Sequence, residues 1–135
     1  MQAFNHTRQR FLAGRGSVAA RPWARLRGLI GRSSFEFGEG LLLMGTQGVH
    51  TIGMRFAIDV LWLDEDGQVL YSIHAMEPFR FSPIIRKAAM VLELPAGVLR
   101  ETGTQVGDRI EVALAVTDRV KPSGERVWTQ TEDPE

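Results

Sequence analysis

The sequence contains no cysteine, and this absence excludes whole classes of chemistry. Disulfide frameworks, thiolate nucleophiles and every cysteine-based zinc or iron–sulfur site are ruled out. No apolar run approaches the roughly 18 to 20 residues of a membrane span. The first residues also lack the apolar stretch of a secretory signal. We therefore expect no membrane span and a cytoplasmic location.

Acidic residues are missing from the first 35 positions, which carry seven arginines. The formal net charge of the chain is nonetheless zero, and its 44% apolar and 24% charged residues are typical of a globular domain. An arginine-rich start can bind anionic partners, but a basic flexible arm is the simpler interpretation, so nucleic-acid binding is not expected. We divide the chain into a flexible basic arm at 1–17, a single β-rich domain at 18–117 and a polar C-terminal tail at 118–135.

Most of the domain shows the two-residue alternation or the short apolar runs of strands. Asp64-Glu65-Asp66-Gly67 supplies the turn residues of a hairpin. The strands predicted from these patterns are 41–44, 57–63, 68–75, 90–94 and 109–116, with an edge strand near 10–13. Two short helices are predicted at 22–30 and 95–102. The sequence thus predicts a mostly β (α+β) fold, a compact antiparallel barrel-like or sandwich sheet with two short helices.

The most distinctive segment is Val-His-Thr-Ile-Gly-Met-Arg-Phe-Ala-Ile-Asp at 49–59. Arg-Gly-Leu at 27–29 precedes it, and Leu-Glu-Leu-Pro-Ala-Gly at 92–97 and Val-Gly-Asp at 106–108 follow it. With these four motifs in this order, the chain resembles domain-of-unknown-function family 192 over roughly residues 18–116. The resemblance implies a compact β-rich domain that is widespread in prokaryotes and has no settled activity. Many members have Trp-Met where this chain has Gly53-Met54.

Asp59 is the first candidate site residue, because it lies in a strand that is apolar on both faces and should be buried. A buried carboxylate needs a charged or hydrogen-bonding partner. One interpretation pairs Asp59 with His50 for proton transfer or ligand orientation and gives Arg55 an anionic group to bind. The other has Asp59 bonded to main-chain amides in a purely structural role.

Glu93 is a second carboxylate in an apolar strand, and the resemblance implies that it belongs to a family motif. It can face either solvent or a cleft. His74 could join His50 and Asp59 as a metal-binding cluster, but the spacing fits no known ligand motif, so we expect no metal and no cofactor.

The proline-containing loop at 77–89 interleaves aromatic and basic residues: Phe79, Arg80, Phe81, Arg86 and Lys87. Such residues can stack on bases or sugars and bind phosphate. Alternatively, the two phenylalanines cover the sheet. The covering role is the simpler interpretation.

The leading functional hypothesis is a small soluble domain that binds a small polar or anionic ligand, for example a saccharide. The pocket would be lined by His50, Met54, Arg55, Asp59 and Glu93. One alternative is a hydrolase-like enzyme that uses Asp59 or Glu93 as general base and His50 as general acid. Another is a structural or assembly module without a ligand.

Overall fold

The computed structural model describes residues 1–21, 25 and 28–114, together with the backbone of 116–120 and 126–128. The described part of the chain is built mainly from strands, which are β1 (Gln2–Asn5), β2 (Arg10–Ala19), β3 (Gly38–Met44), β4 (Ile58–Leu63), β5 (Val69–Met76), β6 (Met90–Pro95), β7 (Ile110–Ala113), β8 (Val116–Val120) and β9 (Arg126–Trp128). One short helix, α1, spans Val98–Thr102 between β6 and β7. Among the described residues, no helix has the length and apolar character to cross a bilayer.

Seven of the strands form one curled sheet in the order β5-β4-β6-β3-β2-β1-β7, which makes a half-barrel. This confirms the predicted mostly β, barrel-like fold. The predicted hairpin is also present: β4 and β5 pair antiparallel, and the main-chain N–H of Asp64 donates to the carbonyl of Gln68 at 3.0 Å. The helix predicted at 22–30 falls largely outside the described residues, and 28–31 form turns.

One pairing departs from the predicted antiparallel sheet. β2 and β3 run parallel, with Val18 opposite Leu42. A parallel pair cannot be joined by a tight turn and requires a crossover of a dozen or more residues. Residues 20–37 provide that crossover, which is why the segment between these two strands is long.

The predicted flexible arm at 1–17 is corrected by the structure. β1 lies between β2 and β7, and Ala3 is completely buried in the core. The sequence alone did not reveal this, because only Phe4, Phe11 and Leu12 offered large apolar side chains. Small residues and a polar network secure the strand instead.

The predicted polar tail at 118–135 also contains structure. The backbones of β8 and β9 pair antiparallel in a separate two-stranded sheet. The remaining tail residues, 121–125 and 129–135, lie outside the described residues.

The sheet buries one apolar cluster on each face, and strand alternation decides which side chains enter which cluster. Leu61 and Leu63 of β4 join Leu92 and Leu94 of β6 in the cluster that also contains α1. On the opposite face, the cluster consists of Ala19, Leu29, Leu41, Leu43, Met54, Ile58, Val60, Trp62, Met76, Ala88 and Val91. The two faces therefore provide separate environments for polar residues.

A buried polar network fastens β1 to the loop before β7. The Asp108 carboxylate oxygen Oδ2 accepts hydrogen bonds from Asn5 Nδ2 at 3.1 Å, Arg8 Nε at 3.0 Å and the Gln105 amide at 3.0 Å. Burial by itself raises the pKa of Asp108, but these donors and the Arg8 charge outweigh it and hold that pKa below its ordinary value of 3.8. The network therefore stabilises the fold only while Asp108 is ionised.

We predict that Asp108→Asn lowers the free energy of unfolding at pH 7 by about 1.5 to 3 kcal/mol, the usual contribution of a hydrogen bond to a charged group. Because the folded-state pKa of Asp108 lies below the unfolded one, this stabilisation is fully present above the ordinary value and is lost as the pH falls through the folded-state pKa. Urea unfolding across the acidic range measures the difference between the two proteins. Asp66→Asn, at an exposed position, is the control. A difference that stays constant as the pH falls contradicts this role.

Candidate functional site

Residues 47–54, here called the motif segment, include the start of the motif at 49–59 and form an extended ribbon with residues 79–85 of the proline-containing loop. The Thr51 amide donates to the Arg80 carbonyl at 2.9 Å, and Ser82 and Ile85 donate to Val49 and Gln47 in the same way. The completely buried Thr51 hydroxyl donates to the Glu77 carbonyl at 2.6 Å and accepts from the Arg80 amide at 2.9 Å. Thr51 thus anchors the loop to the motif.

A tight turn then directs Met54 into the interior. The Met54 amide donates to the Thr51 carbonyl at 3.1 Å, and Gly53 has a φ of +82°. This arrangement matches a type II turn, whose third position requires a positive φ and favours glycine. Met54 is consequently only 4% exposed. Gly53 therefore fits the positive φ of this turn, and Met54 fits the buried position after it.

A cavity of about 230 Å³ opens beside this segment. Its wall combines apolar side chains with a guanidinium, an imidazole and a carboxylate. The lining residues are Arg25, Gly28, Leu29, Ile30, Leu43, Thr46, Gly48, Val49, His50, Met54 and Glu93. Three of the five candidate site residues, His50, Met54 and Glu93, are thus brought together.

Strand register places Glu93 in this cavity. In the sheet, Glu93 lies between Leu41 of β3 and Val60 of β4, and it shares their face. It is only 2% exposed, and an ideal Cβ built on Gly28 would lie 3.7 Å from its Oε1 atom. Glu93 therefore faces the cleft and not the solvent.

Arg25 is a cavity residue that the sequence analysis missed. It lies within the helix predicted at 22–30, and its Nη1 atom donates to the carbonyl of Met44 at 2.8 Å, at the end of β3. That contact spans 19 positions in the sequence. The only local signal was its position just before the motif at 27–29.

Asp59 lies on the other face of the sheet. Its register partner is Leu94, and it is completely buried. Its Oδ2 atom accepts from the amides of Gly97 at 3.1 Å and Leu99 at 2.9 Å, and its Oδ1 atom accepts from the Ala75 amide at 2.8 Å. Gly97, at the N-cap position of α1, has no side chain that could accept hydrogen bonds from the first amides of the helix. The Asp59 carboxylate of β4 accepts them instead. These contacts are those of the structural alternative.

A bulge in β5 makes one of these contacts possible. Ile58 pairs with Met76 but Val60 pairs with Ile73, so β5 has one residue more than β4 in this interval. Ala75, within the bulge, has a φ of +50°, which is uncommon for a residue other than glycine. Its hydrogen bond to Asp59 compensates for this unfavourable conformation.

The remaining candidates do not reach the cavity. Arg55 and His74 are both exposed. In the described ranges, no three histidine, aspartate or glutamate side chains lie close enough together to hold a metal ion. The ionisable residues between 50 and 59 therefore do not share one site, because His50 faces the cavity, Arg55 faces solvent and Asp59 is sealed in the core.

We predict that Asp59→Asn destabilises the protein by about 2 to 3 kcal/mol, because an amide cannot accept all three main-chain hydrogen bonds. Urea unfolding measures the loss, with the exposed Glu65→Gln as control. Because Asp59 and the cavity lie on opposite faces, the folded variant should keep any ligand affinity of the wild type. Unchanged stability would contradict the capping role.

The model of domain-of-unknown-function family 192, described as an uncharacterized ACR, matches residues 4–112. A UPF0127 protein of Pyrococcus furiosus is 36% identical over 63 residues, which make up 47% of this chain and 53% of that protein. The match thus spans about half the length of this relative. A UPF0127 protein of Thermococcus sibiricus is 26% identical over 111 residues, covering 79% of this chain and 71% of that one.

Two solved structures share the fold. A protein of unknown function from Novosphingobium aromaticivorans superposes with a TM-score of 0.72 at 16% identity, covering 82% of each chain. A protein from Sinorhizobium meliloti, described as a candidate transcription regulator, superposes with a TM-score of 0.68 at 26% identity, covering 82% of this chain and 89% of that one.

Proposed function

The chain belongs to domain-of-unknown-function family 192, and we propose that it binds a small polar or anionic ligand in the cavity beside the motif segment. The observation that carries this proposal is the convergence of Arg25, His50 and Glu93 on one cavity. These three side chains come from sequence positions far apart.

The lining chemistry indicates what the ligand carries. A guanidinium donates hydrogen bonds to carboxylates and phosphates, and an imidazole can donate or accept. The buried Glu93 carboxylate accepts hydrogen bonds from hydroxyl or amino groups. Leu29, Leu43 and Met54 provide apolar contact. A sugar acid or another small hydroxylated anion matches these groups.

The size of the cavity limits the ligand. Its volume of about 230 Å³ lies below the range of roughly 300 to 1,000 Å³ that is typical of sites for drug-sized molecules. A compound of monosaccharide size fits this room better than a dinucleotide or an oligomer. The proposal is therefore restricted to small metabolites.

The hydrolase-like alternative is less well supported. It required Asp59 or Glu93 as general base with His50 as general acid, and each of these groups must lie within hydrogen-bond reach of the substrate proton that it moves. Asp59 is on the opposite face with three main-chain donors. Only Glu93 would remain to act with His50.

The S. meliloti relative raises DNA binding as another role. Recognition helices of the common DNA-binding motifs lie in the major groove and carry several base-reading side chains. Within the described residues, the helix α1 has five residues, and three of them, Val98, Leu99 and Thr102, are buried. This geometry favours the cavity over a recognition helix.

We predict that a sugar acid or a small phosphorylated sugar raises the midpoint of thermal unfolding of the wild type. His50→Ala and Glu93→Gln should each weaken binding by about tenfold or more, as expected from the loss of one hydrogen bond to a charged group. Isothermal titration calorimetry of each folded variant measures the change. His74→Ala is the matched control, because His74 is exposed and does not line the cavity.

Two results would contradict the proposal. One is a panel of sugars, sugar acids and phosphorylated sugars that leaves the unfolding midpoint unchanged. The other is a compound that binds the wild type, the His50 variant and the Glu93 variant equally well. Turnover of a bound compound that is lost in Glu93→Gln would instead support the hydrolase-like alternative.

A further inference from the structure

An exposed apolar ridge runs along the ribbon formed by 47–54 and 79–85. It consists of Ile52, Phe79, Phe81 and Ile84, which are 41%, 65%, 75% and 66% exposed. The simpler interpretation of the sequence, that the two phenylalanines cover the sheet, is wrong, because both are mostly exposed. Large apolar side chains that gather at the surface mark interaction sites.

The ribbon pairing brings the four ridge residues together. His50 and Phe81 form an antiparallel bridge, and their ring centroids lie 6.3 Å apart. The Phe79 amide donates to the Thr51 carbonyl at 3.0 Å, which places Phe79 beside Ile52. At the other end, an ideal Cβ built on Gly48 would lie 2.4 Å from Ile84 Cδ1. The four side chains therefore follow one short ribbon.

The ridge is also held in place. Main-chain hydrogen bonds from Phe79, Ser82 and Ile85 attach the loop to the motif segment. Phe79 has a φ of +62°, which is unfavourable for a bulky residue and needs support from its surroundings. An apolar surface that is presented rigidly loses little conformational entropy on binding.

Basic residues flank the ridge. Arg80, Arg86 and Lys87 lie on the same loop, Arg55 follows the Gly53 turn, and all four are exposed. The segment 77–87 contains one acidic residue, Glu77, which pairs with Arg80 at 3.5 Å. The ridge is thus apolar along its length and positively charged at its sides.

We propose that this ridge binds the surface of an anionic phospholipid bilayer. The side chains stand out from the protein, and a fluid apolar phase can receive them without a preformed pocket. Arginine and lysine next to the ridge would contact the phosphate groups of the lipids. The protein would attach peripherally, with the phenylalanines at the depth of the headgroups.

The same observations disfavour two other occupants. Single-stranded nucleic acid is held by aromatic stacking, to which the aliphatic Ile52 and Ile84 cannot contribute. A second copy of this chain would bring two positively charged borders together, which is electrostatically unfavourable. A bilayer has an apolar interior for the ridge and anionic headgroups for the basic residues beside it.

Cosedimentation with vesicles tests the proposal. The wild type should bind vesicles that contain phosphatidylglycerol at least tenfold more strongly than vesicles of phosphatidylcholine alone, and added salt should weaken binding because it screens the charges. The double variant Phe79→Ser/Phe81→Ser should lose at least tenfold in affinity. Arg86→Glu/Lys87→Glu should lose binding to the anionic vesicles.

Phe37→Ser is the matched control, because Phe37 is 52% exposed but lies outside the ridge. It should bind vesicles as the wild type does, and thermal unfolding should show that every variant is folded. Absence of vesicle binding by the wild type, or equal binding by the wild type and the phenylalanine double variant, would overturn the proposal. So would a dimer that the phenylalanine substitutions dissociate, or preferential binding to a single-stranded oligonucleotide.

Discussion

The carboxylate of Asp59 holds together the part of the fold on which the rest is built. It joins three segments, because its donors lie in the bulge of β5, in the turn after β6 and in the first turn of α1. These contacts bridge 16 to 40 positions in the sequence. They fix β5, β4 and β6 against the short helix, whose five residues would not form a stable helix alone. The sheet behind the cavity depends on this arrangement.

The structural polar residues and those of the candidate site lie on opposite faces of the sheet. Asp59 and Glu93 are buried carboxylates on paired strands, and both lie within family motifs. One step of register nevertheless sends them to opposite faces, because side chains alternate along a strand. Asp59 meets main-chain amides, whereas Glu93 meets a cavity that also contains an imidazole and a guanidinium. Burial alone would not have distinguished them.

The local elements of the fold could be predicted from the sequence, but their long-range pairing could not. The alternation at 57–63 and the acidic turn before Gly67 correspond closely to β4 and its hairpin. Of the two strands before position 20, the start of β2 was predicted as an edge strand near 10–13, but β1 was missed because its stability comes from distant partners: β1 pairs with β7, and Asn5 bonds to Thr104 and Asp108. The same limit applies to the site. His50 and Met54 could be found in one motif, whereas Arg25 reaches the cavity through the crossover between β2 and β3.

The ribbon at 47–54 connects the proposed cavity with the proposed ridge. His50 lines the cavity and lies opposite Phe81, while Gly48 lines the cavity and leaves room for Ile84. Thr51, the residue after His50, bonds to the loop through both its main chain and its hydroxyl. A shift of the loop would therefore move cavity and ridge together. Thermodynamic linkage makes any such coupling reciprocal. If a ligand in the cavity changed the affinity of the ridge for a bilayer, the bilayer would change the affinity of the cavity for the ligand by the same factor. The physical route for this coupling is short, since His50 of the cavity and Phe81 of the ridge form one bridged pair.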